Sequence, residues 1–172
     1  MDPASTLALF RQMKKQLGQL DAWFDAAKAA GTAKSFDPNV LLQARLAPDQ
    51  FPLARQIQIA CDTAKLAASR LTGIEVPSQP DTETTFDELR TRVHSVVAIL
   101  GGLEVAHFEG AADRSITQPR WEGKTLSGAD YLVEHALPNF YFHLAHVYAI
   151  LRHNGVGLGK RDYLGALSFR AP

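Results

Sequence analysis

The sequence has little of several features that mark common classes of protein. Its single cysteine, Cys61, leaves no internal disulfide possible. Lys and Arg together number 18, as do Asp and Glu, so there is no basic excess to attract a phosphate backbone. No apolar stretch approaches the roughly 20 residues needed to cross a bilayer. We therefore expect neither a nucleic-acid-binding protein nor a membrane protein.

Other absences concern targeting and catalytic motifs. The N-terminus lacks a basic region followed by an apolar run, so we expect a cytoplasmic protein. There is no Ser-x-Gly nucleophile elbow, and the glycine-rich GVGLGK segment at residues 155–160 follows a predicted helix instead of preceding one, unlike a phosphate-binding loop. The length of 172 residues fits one domain, which we assign to residues 1–172.

Helix signals are abundant in what remains. Asp2-Pro3 and Asp37-Pro38 each place a capping carboxylate before a proline, which predicts two helix starts. An apolar stripe at steps of three and four predicts that the first helix continues to near Gly31. Thr85 and Glu88 form a capping-box pattern that predicts the start of a third long helix.

Two further long helices complete the predicted architecture. One runs from about Asp49 to Leu71 and ends at Gly73, and the last begins after Ser127, is interrupted or bent at Pro138 and ends at Asn154-Gly155. Residues 116–126 predict a small β-hairpin between short β-tolerant segments. Together these patterns predict an all-α fold, an antiparallel four-helix bundle with a possible hairpin before the last helix.

The last helix carries the most distinctive chemistry. His143 and His146 are three residues apart and share a face, so the two imidazoles are able to hold one ion. A third ligand has to come from another helix, either Asp62 or His94, because no histidine precedes His94 in the sequence. The alternative is structural, with one histidine hydrogen-bonded inside the bundle, the other on its edge, and Asp62 as a solvated or salt-bridged flank of its helix.

Other side chains are candidates for lining a cavity. A proline-broken region near residues 45–55 carries Arg45, Asp49 and Arg55, which form either the rim of a pocket or a local ion-pair cluster. Cys61 lies among alanines on a core face, where we expect an inert thiol. The aromatic residues predict either a cavity lining or a buried cluster, and they are Trp121, Tyr131, Tyr141 and Tyr148.

Three segments resemble a known family. They are LLQARLAPDQFPLARQIQIACDTAK at residues 41–65, DTETTFDELRTRV at 81–93 and YLVEHALPNFYFHLAHVYAILRHNGVGLGKRDYLG at 131–165. They resemble the uncharacterised family catalogued as domain of unknown function 1993 (DUF1993). The resemblance implies the four-helix bundle of the DinB/YfiT-like group, which is often dimeric, so we expect a homodimer.

The resemblance also bears on the site. Metal-binding members of the wider group use three histidines, one from the second helix and an H-x-x-x-H pair from the fourth. Here the second helix has no histidine, and Asn139 and Val147 stand four residues before and after His143. Only His143 matches a ligand position, so an altered set of His143, His146 and Asp62 is the corresponding hypothesis.

Two functions from different classes follow. The first is binding of a small molecule or partner in a cavity lined by histidine and aromatic residues, without an assignable reaction. The second is a hydrolase or thiol-dependent transferase in which the altered site holds a divalent metal (Zn, Ni or Mn) that activates a water or thiol.

Overall fold

The computed structural model describes residues 1–171 and is mostly helical. Seven α-helices lie within this range: α1 Pro3–Gly18, α2 Leu20–Lys34, α3 Leu53–Thr72, α4 Phe86–Gly101, α5 Gly128–Asp130, α6 Leu137–His153 and α7 Lys160–Leu164. Short 3-10 helices occupy Pro38–Gln43, Val105–Phe108, Ala111–Asp113 and Pro119–Trp121. A π-helical segment, Tyr131–Ala136, joins α5 to α6.

The predicted helix caps are present. Asp2 Oδ1 accepts a hydrogen bond of 2.9 Å from the Ser5 N–H at the start of α1. Asp37 caps a short 3-10 helix, with its carboxylate 2.9 Å from the Asn39 nitrogen. At α4 the Thr85 hydroxyl accepts from the Glu88 N–H at 3.2 Å, while the Glu88 carboxylate accepts from the Thr85 N–H at 2.9 Å. These bonds satisfy backbone donors that a helix start leaves unpaired.

The prediction of one continuous first helix was wrong. The chain forms α1 and α2, which meet at Gln19, and α2 continues to Lys34. The Gln19 N–H bonds to the Gln16 carbonyl at 3.2 Å, a tighter turn than an α-helix makes. Leu17 and Leu20 on either side are fully buried, so the apolar stripe crosses the break unchanged and does not reveal it.

The remaining helix boundaries differ less from prediction. Helix α3 begins at Leu53, after Pro52, four residues later than the predicted start near Asp49. It ends at Gly73 as predicted, and that glycine has a left-handed φ of 80°. Near Pro138 the predicted interruption takes the form of the π segment, which gives way to α6 at Leu137. Because proline has no N–H, Pro138 cannot donate the α-helical hydrogen bond to the carbonyl four residues earlier, which lies in the π segment.

Helix α3 is the centre of the packing. It lies against α6 on one side and α4 on the other, and α1 packs on α4. Its predicted core face is fully or almost fully buried and comprises Ile57, Cys61, Ala64, Ala68 and Leu71. The predicted hairpin is also present, since β1 (Ser115–Ile116) pairs antiparallel with β2 (Leu126–Ser127).

Within residues 1–171, no single helix is both long and apolar enough to span a bilayer. One pair, Phe86–Gly101 with Val105–Asp113, meets the criteria of length and composition only when its two parts are taken together, and these are bent by 88°.

Two glycines offer a test of the packing around the hairpin. A Cβ on Gly128 would lie 1.9 Å from the Ala111 carbonyl oxygen, whereas a Cβ on Gly18 meets nothing within 4 Å. We expect Gly128→Ala to lower the free energy of unfolding by about 3 kcal/mol through overpacking. Gly18→Ala should raise it by about 0.5 kcal/mol through lower chain entropy when unfolded. Urea denaturation measures both, and equal changes in the two variants would contradict the packing.

Candidate functional site

A pocket of about 280 Å³ lies between α3 and the continuous run of π segment and α6. We call it the α3–α6 pocket. Helix α3 lines one side with Arg55, Ile59, Asp62, Thr63, Leu66 and Arg70. The other side is lined by Arg120, Tyr131, His135, Asn139 and His143. The last four stand at steps of four residues, so one face of the helical run builds that wall.

Tyr131 and Arg70 connect the two walls. Tyr131 is fully buried, and its hydroxyl accepts a hydrogen bond of 2.9 Å from Arg70 Nη1. The guanidinium carbon also lies 5.7 Å from the centre of the tyrosine ring, a distance at which a cation is attracted to the ring face. The Arg70 side chain is therefore held at the pocket wall by a neutral partner.

His135 is the second aromatic member of the wall. Its ring stacks on Tyr131 with centroids 5.5 Å apart, and Trp121 meets it edge-on. Arg120 Nη2 lies 3.0 Å and the Gln118 amide nitrogen 3.4 Å from His135 Nε2. Both partners are donors, so the network assigns the ring proton to Nδ1. Burial, with the nearby charges of Arg120 and Arg70, lowers the pKa of His135 and favours the neutral ring.

His143 is oriented by a buried amide. Its Nδ1 lies 2.7 Å from Gln56 Oε1, and the Gln56 amide nitrogen donates to the Phe51 carbonyl at 3.1 Å. Since Gln56 Oε1 only accepts, the proton lies on His143 Nδ1 and Nε2 is the basic nitrogen. Burial first, then the charges of His146 and Arg55, lower the His143 pKa to about 4. The ring is neutral at neutral pH.

The other two predicted ligands are placed differently. His146 is half-buried, and its Nδ1 lies 2.7 Å from the Phe142 carbonyl of its own helix. His146 and His143 line a separate recess of about 250 Å³ with Phe51 and Phe142. His146 is not among the residues of the α3–α6 pocket, whereas Asp62 is. The structure therefore brings His143 together with each predicted partner in a different cavity.

The Asp62 carboxylate is already engaged by two cations. Its Oδ1 lies 2.9 Å from Arg92 Nη2 and 3.2 Å from Lys65 Nζ. Both cationic side chains are almost fully buried, at 2% and 3% exposure. This arrangement matches the structural alternative, in which Asp62 is a salt-bridged flank of α3.

The donors as placed do not fit a metal ion. Both contacts are made by Oδ1, so a metal on Oδ2 would share the carboxylate with two buried cations, whose positive charge weakens its attraction for a third. Across residues 1–171, no three His, Cys, Asp or Glu side chains converge as a metal-holding group. The set of His143, His146 and Asp62 stays a prediction.

Several further sequence expectations are resolved here. His94 is exposed and lies 2.9 Å from Asp21, and it does not line the α3–α6 pocket. Burial raises the pKa of the Cys61 thiol to about 12, which agrees with an inert cysteine. Tyr148 packs with Trp23 in a separate aromatic cluster, so only part of the predicted aromatic set borders the pocket.

The sequence did not lead us to predict three of the residues that line the pocket, Arg70, Arg120 and His135. The steps of four that lead back from His143 through Asn139 contained a usable signal for His135, because they define one helix face. Arg120 had no such signal, since it reaches the pocket from a 3-10 turn in the segment between the two strands.

Comparison with known proteins identifies the family of the chain and supports its fold. The model of the family described as domain of unknown function (DUF1993) matches residues 7–164. A solved structure, described as a DinB family member protein from Shewanella denitrificans, is 50% identical, with a TM-score of 0.95. The match covers 99% of this chain and 97% of that one. No curated protein matches the chain. The DinB likeness is compatible with a divalent metal, although the donors found here do not fit one.

The buried His143 predicts a pH dependence of stability. Its pKa is about 4 in the folded protein against an ordinary 6.5, so the unfolded state binds more protons between these values. Stability should therefore fall as the pH drops from 6.5 to 4, by about 3 kcal/mol from this residue alone. Urea titrations across this range should show a smaller loss for His143→Gln than for wild type. His153→Gln, at an exposed position, should behave as wild type; an unchanged pH profile in His143→Gln would contradict the assignment.

The occupied Asp62 carboxylate predicts weak metal binding. We expect protein purified without a histidine tag to hold no stoichiometric Zn, Ni or Mn, before or after incubation with these ions. Elemental mass spectrometry of dialysed wild type and His143→Ala measures this. One equivalent of metal in wild type that is lost in His143→Ala would contradict the prediction and establish the altered site.

Proposed function

The chain belongs to the DUF1993 family, and from this premise we propose that it is a DinB-like protein that binds a small molecule in the α3–α6 pocket. The observation that carries the proposal is the pocket itself. It combines apolar walls, two neutral histidines and several hydrogen-bonding groups in about 280 Å³. Small-molecule sites combine apolar surface with polar groups that fix the orientation of the ligand, and here most of the lining side chains are polar or charged.

The packing of the helices supports the finer description of the fold. In the proposed antiparallel four-helix bundle, α3 and α6 form one pair and α4 with α1 and α2 completes the other half. The close packing of α3 on both α6 and α4 supports this arrangement. Ligand sites in bundles are built from side chains on facing helices, as the residues of this pocket are. The homodimer and the cytoplasmic location stay predictions.

The polar groups of the pocket favour binding over the metal-dependent alternative. Asn139 Nδ2 donates to Thr63 Oγ1 at 2.7 Å across the cleft, which leaves the Asn139 oxygen as an acceptor. His143 contributes its unprotonated Nε2 as a second acceptor, and Arg70 contributes further N–H donors. These groups are able to orient a ligand by hydrogen bonds without an ion.

A pocket-filling substitution tests the proposal. Ile59 is half-buried at the pocket wall, and Ile99 is half-buried on α4 away from it. In ligand-observed NMR with a mixed fragment library, we expect fragments to bind wild type and Ile99→Trp. Ile59→Trp should lose binding at least tenfold, because the indole occupies the space of the ligand. Circular dichroism and thermal midpoints establish that both variants fold.

The experiment has a clear contrary result. If no fragment binds wild type, or if fragments bind Ile59→Trp and Ile99→Trp equally, the α3–α6 pocket is not the binding site. Binding lost equally in both variants would point to a site elsewhere on the molecule.

A further inference from the structure

The side chains that line the α3–α6 pocket carry more positive than negative charge. Arg55, Arg70 and Arg120 line it, and Asp62 is the only acidic residue in its walls. Arg55 forms an ion pair with Asp81, outside the lining. The charge of Asp62 is already matched by Arg92 and Lys65 behind the wall.

Of the three guanidiniums that line the pocket, those of Arg70 and Arg120 have no acidic partner. Neither has a carboxylate oxygen within 4.0 Å in the part of the chain that the structure describes. Their polar contacts are to the Tyr131 hydroxyl at 2.9 Å and to His135 Nε2 at 3.0 Å. Both partners are neutral, so they position the cations and leave the charge uncompensated.

The two contacts hold the guanidiniums at adjacent points of the wall. Tyr131 and His135 are stacked with an angle of 17° between their rings, and one arginine is bonded to each ring. A guanidinium has five N–H donors, and each of these contacts uses one. Donors on both side chains therefore remain for one shared anionic group.

The apolar part of the pocket limits what that anion is. Ile59 and Leu66 line the pocket from α3, and Phe51, with half of its surface exposed, also lines it. A volume of about 280 Å³ fits a molecule of the size of a single substituted ring. Planar guanidinium forks match the geometry of a carboxylate.

We propose that the α3–α6 pocket binds a small organic carboxylate, with the carboxylate on Arg70 and Arg120 and the apolar body against Ile59 and Leu66. This inference rests on the proposed function, because it names the class of ligand for the same pocket. In this proposal the two arginines bind the negative charge of the ligand, and no metal ion is needed to do so.

The test compares benzoate with benzamide, which has nearly the same shape and no charge. We expect NMR titration of wild type to give benzoate an affinity at least tenfold higher than that of benzamide. Arg120→Met, at an exposed position, should weaken benzoate about tenfold and leave benzamide unchanged. Arg70→Met should do the same if its thermal midpoint shows that it folds. Arg11→Met, an exposed arginine on α1, is the matched control and should bind as wild type.

Each of the other outcomes would contradict a different part of the proposal. Equal affinity for benzoate and benzamide, with binding still lost in Ile59→Trp, would overturn the anionic ligand and leave the pocket as a small-molecule site. Inorganic phosphate that binds more tightly than benzoate, with the same dependence on Arg120, would replace the carboxylate by a phosphate. Benzoate binding that is unaffected by Arg120→Met and Ile59→Trp alike would overturn this inference and the proposed function together.

Discussion

The buried guanidinium of Arg92 ties together α3, α4 and the loop between them. It is 2% exposed and lies 2.9 Å from Asp62, 3.0 Å from Asp81 and 2.9 Å from Glu83. A buried cation is costly unless carboxylates surround it, so the positions of these three acids are coupled to the packing of α4 on α3. The loop carries no regular secondary structure, yet this contact gives it a defined place on the two helices.

The same contact affects the charge of the α3–α6 pocket, which Asp62 also lines. Asp62 lies between Arg92 and the pocket, and its negative charge is neutralised by Arg92 and Lys65. What remains toward the cavity is the positive charge of Arg70 and Arg120, beside the neutral His135 and other uncharged polar groups. A structural salt bridge thus affects the electrostatic potential in the α3–α6 pocket, although Arg92 does not line that pocket.

The fold was predictable where its signals are local. The Thr85–Glu88 capping box and the left-handed stop at Gly73 depend on a few adjacent residues, and both are present as predicted. The break at Gln19 was not predictable from periodicity, because the buried stripe continues through it. The pocket was predicted only in part, since the contact between Arg70 and Tyr131 spans 61 positions and depends on tertiary packing. His143 was predicted as a candidate site residue because it lies on a helix that the apolar periodicity of the sequence predicts clearly.

The π segment Tyr131–Ala136 changes the angular positions of the pocket-lining side chains around the helix axis. In an α-helix, residues at steps of four advance by about 40° beyond a full turn, so a column of such residues drifts around the axis. The wider turn of a π-helix opposes that drift. Tyr131 and His135 thereby stay in angular phase with Asn139 and His143, and all four face one cavity. The shape of this pocket wall therefore depends on the winding of a single stretch of backbone as well as on the side chains that it carries.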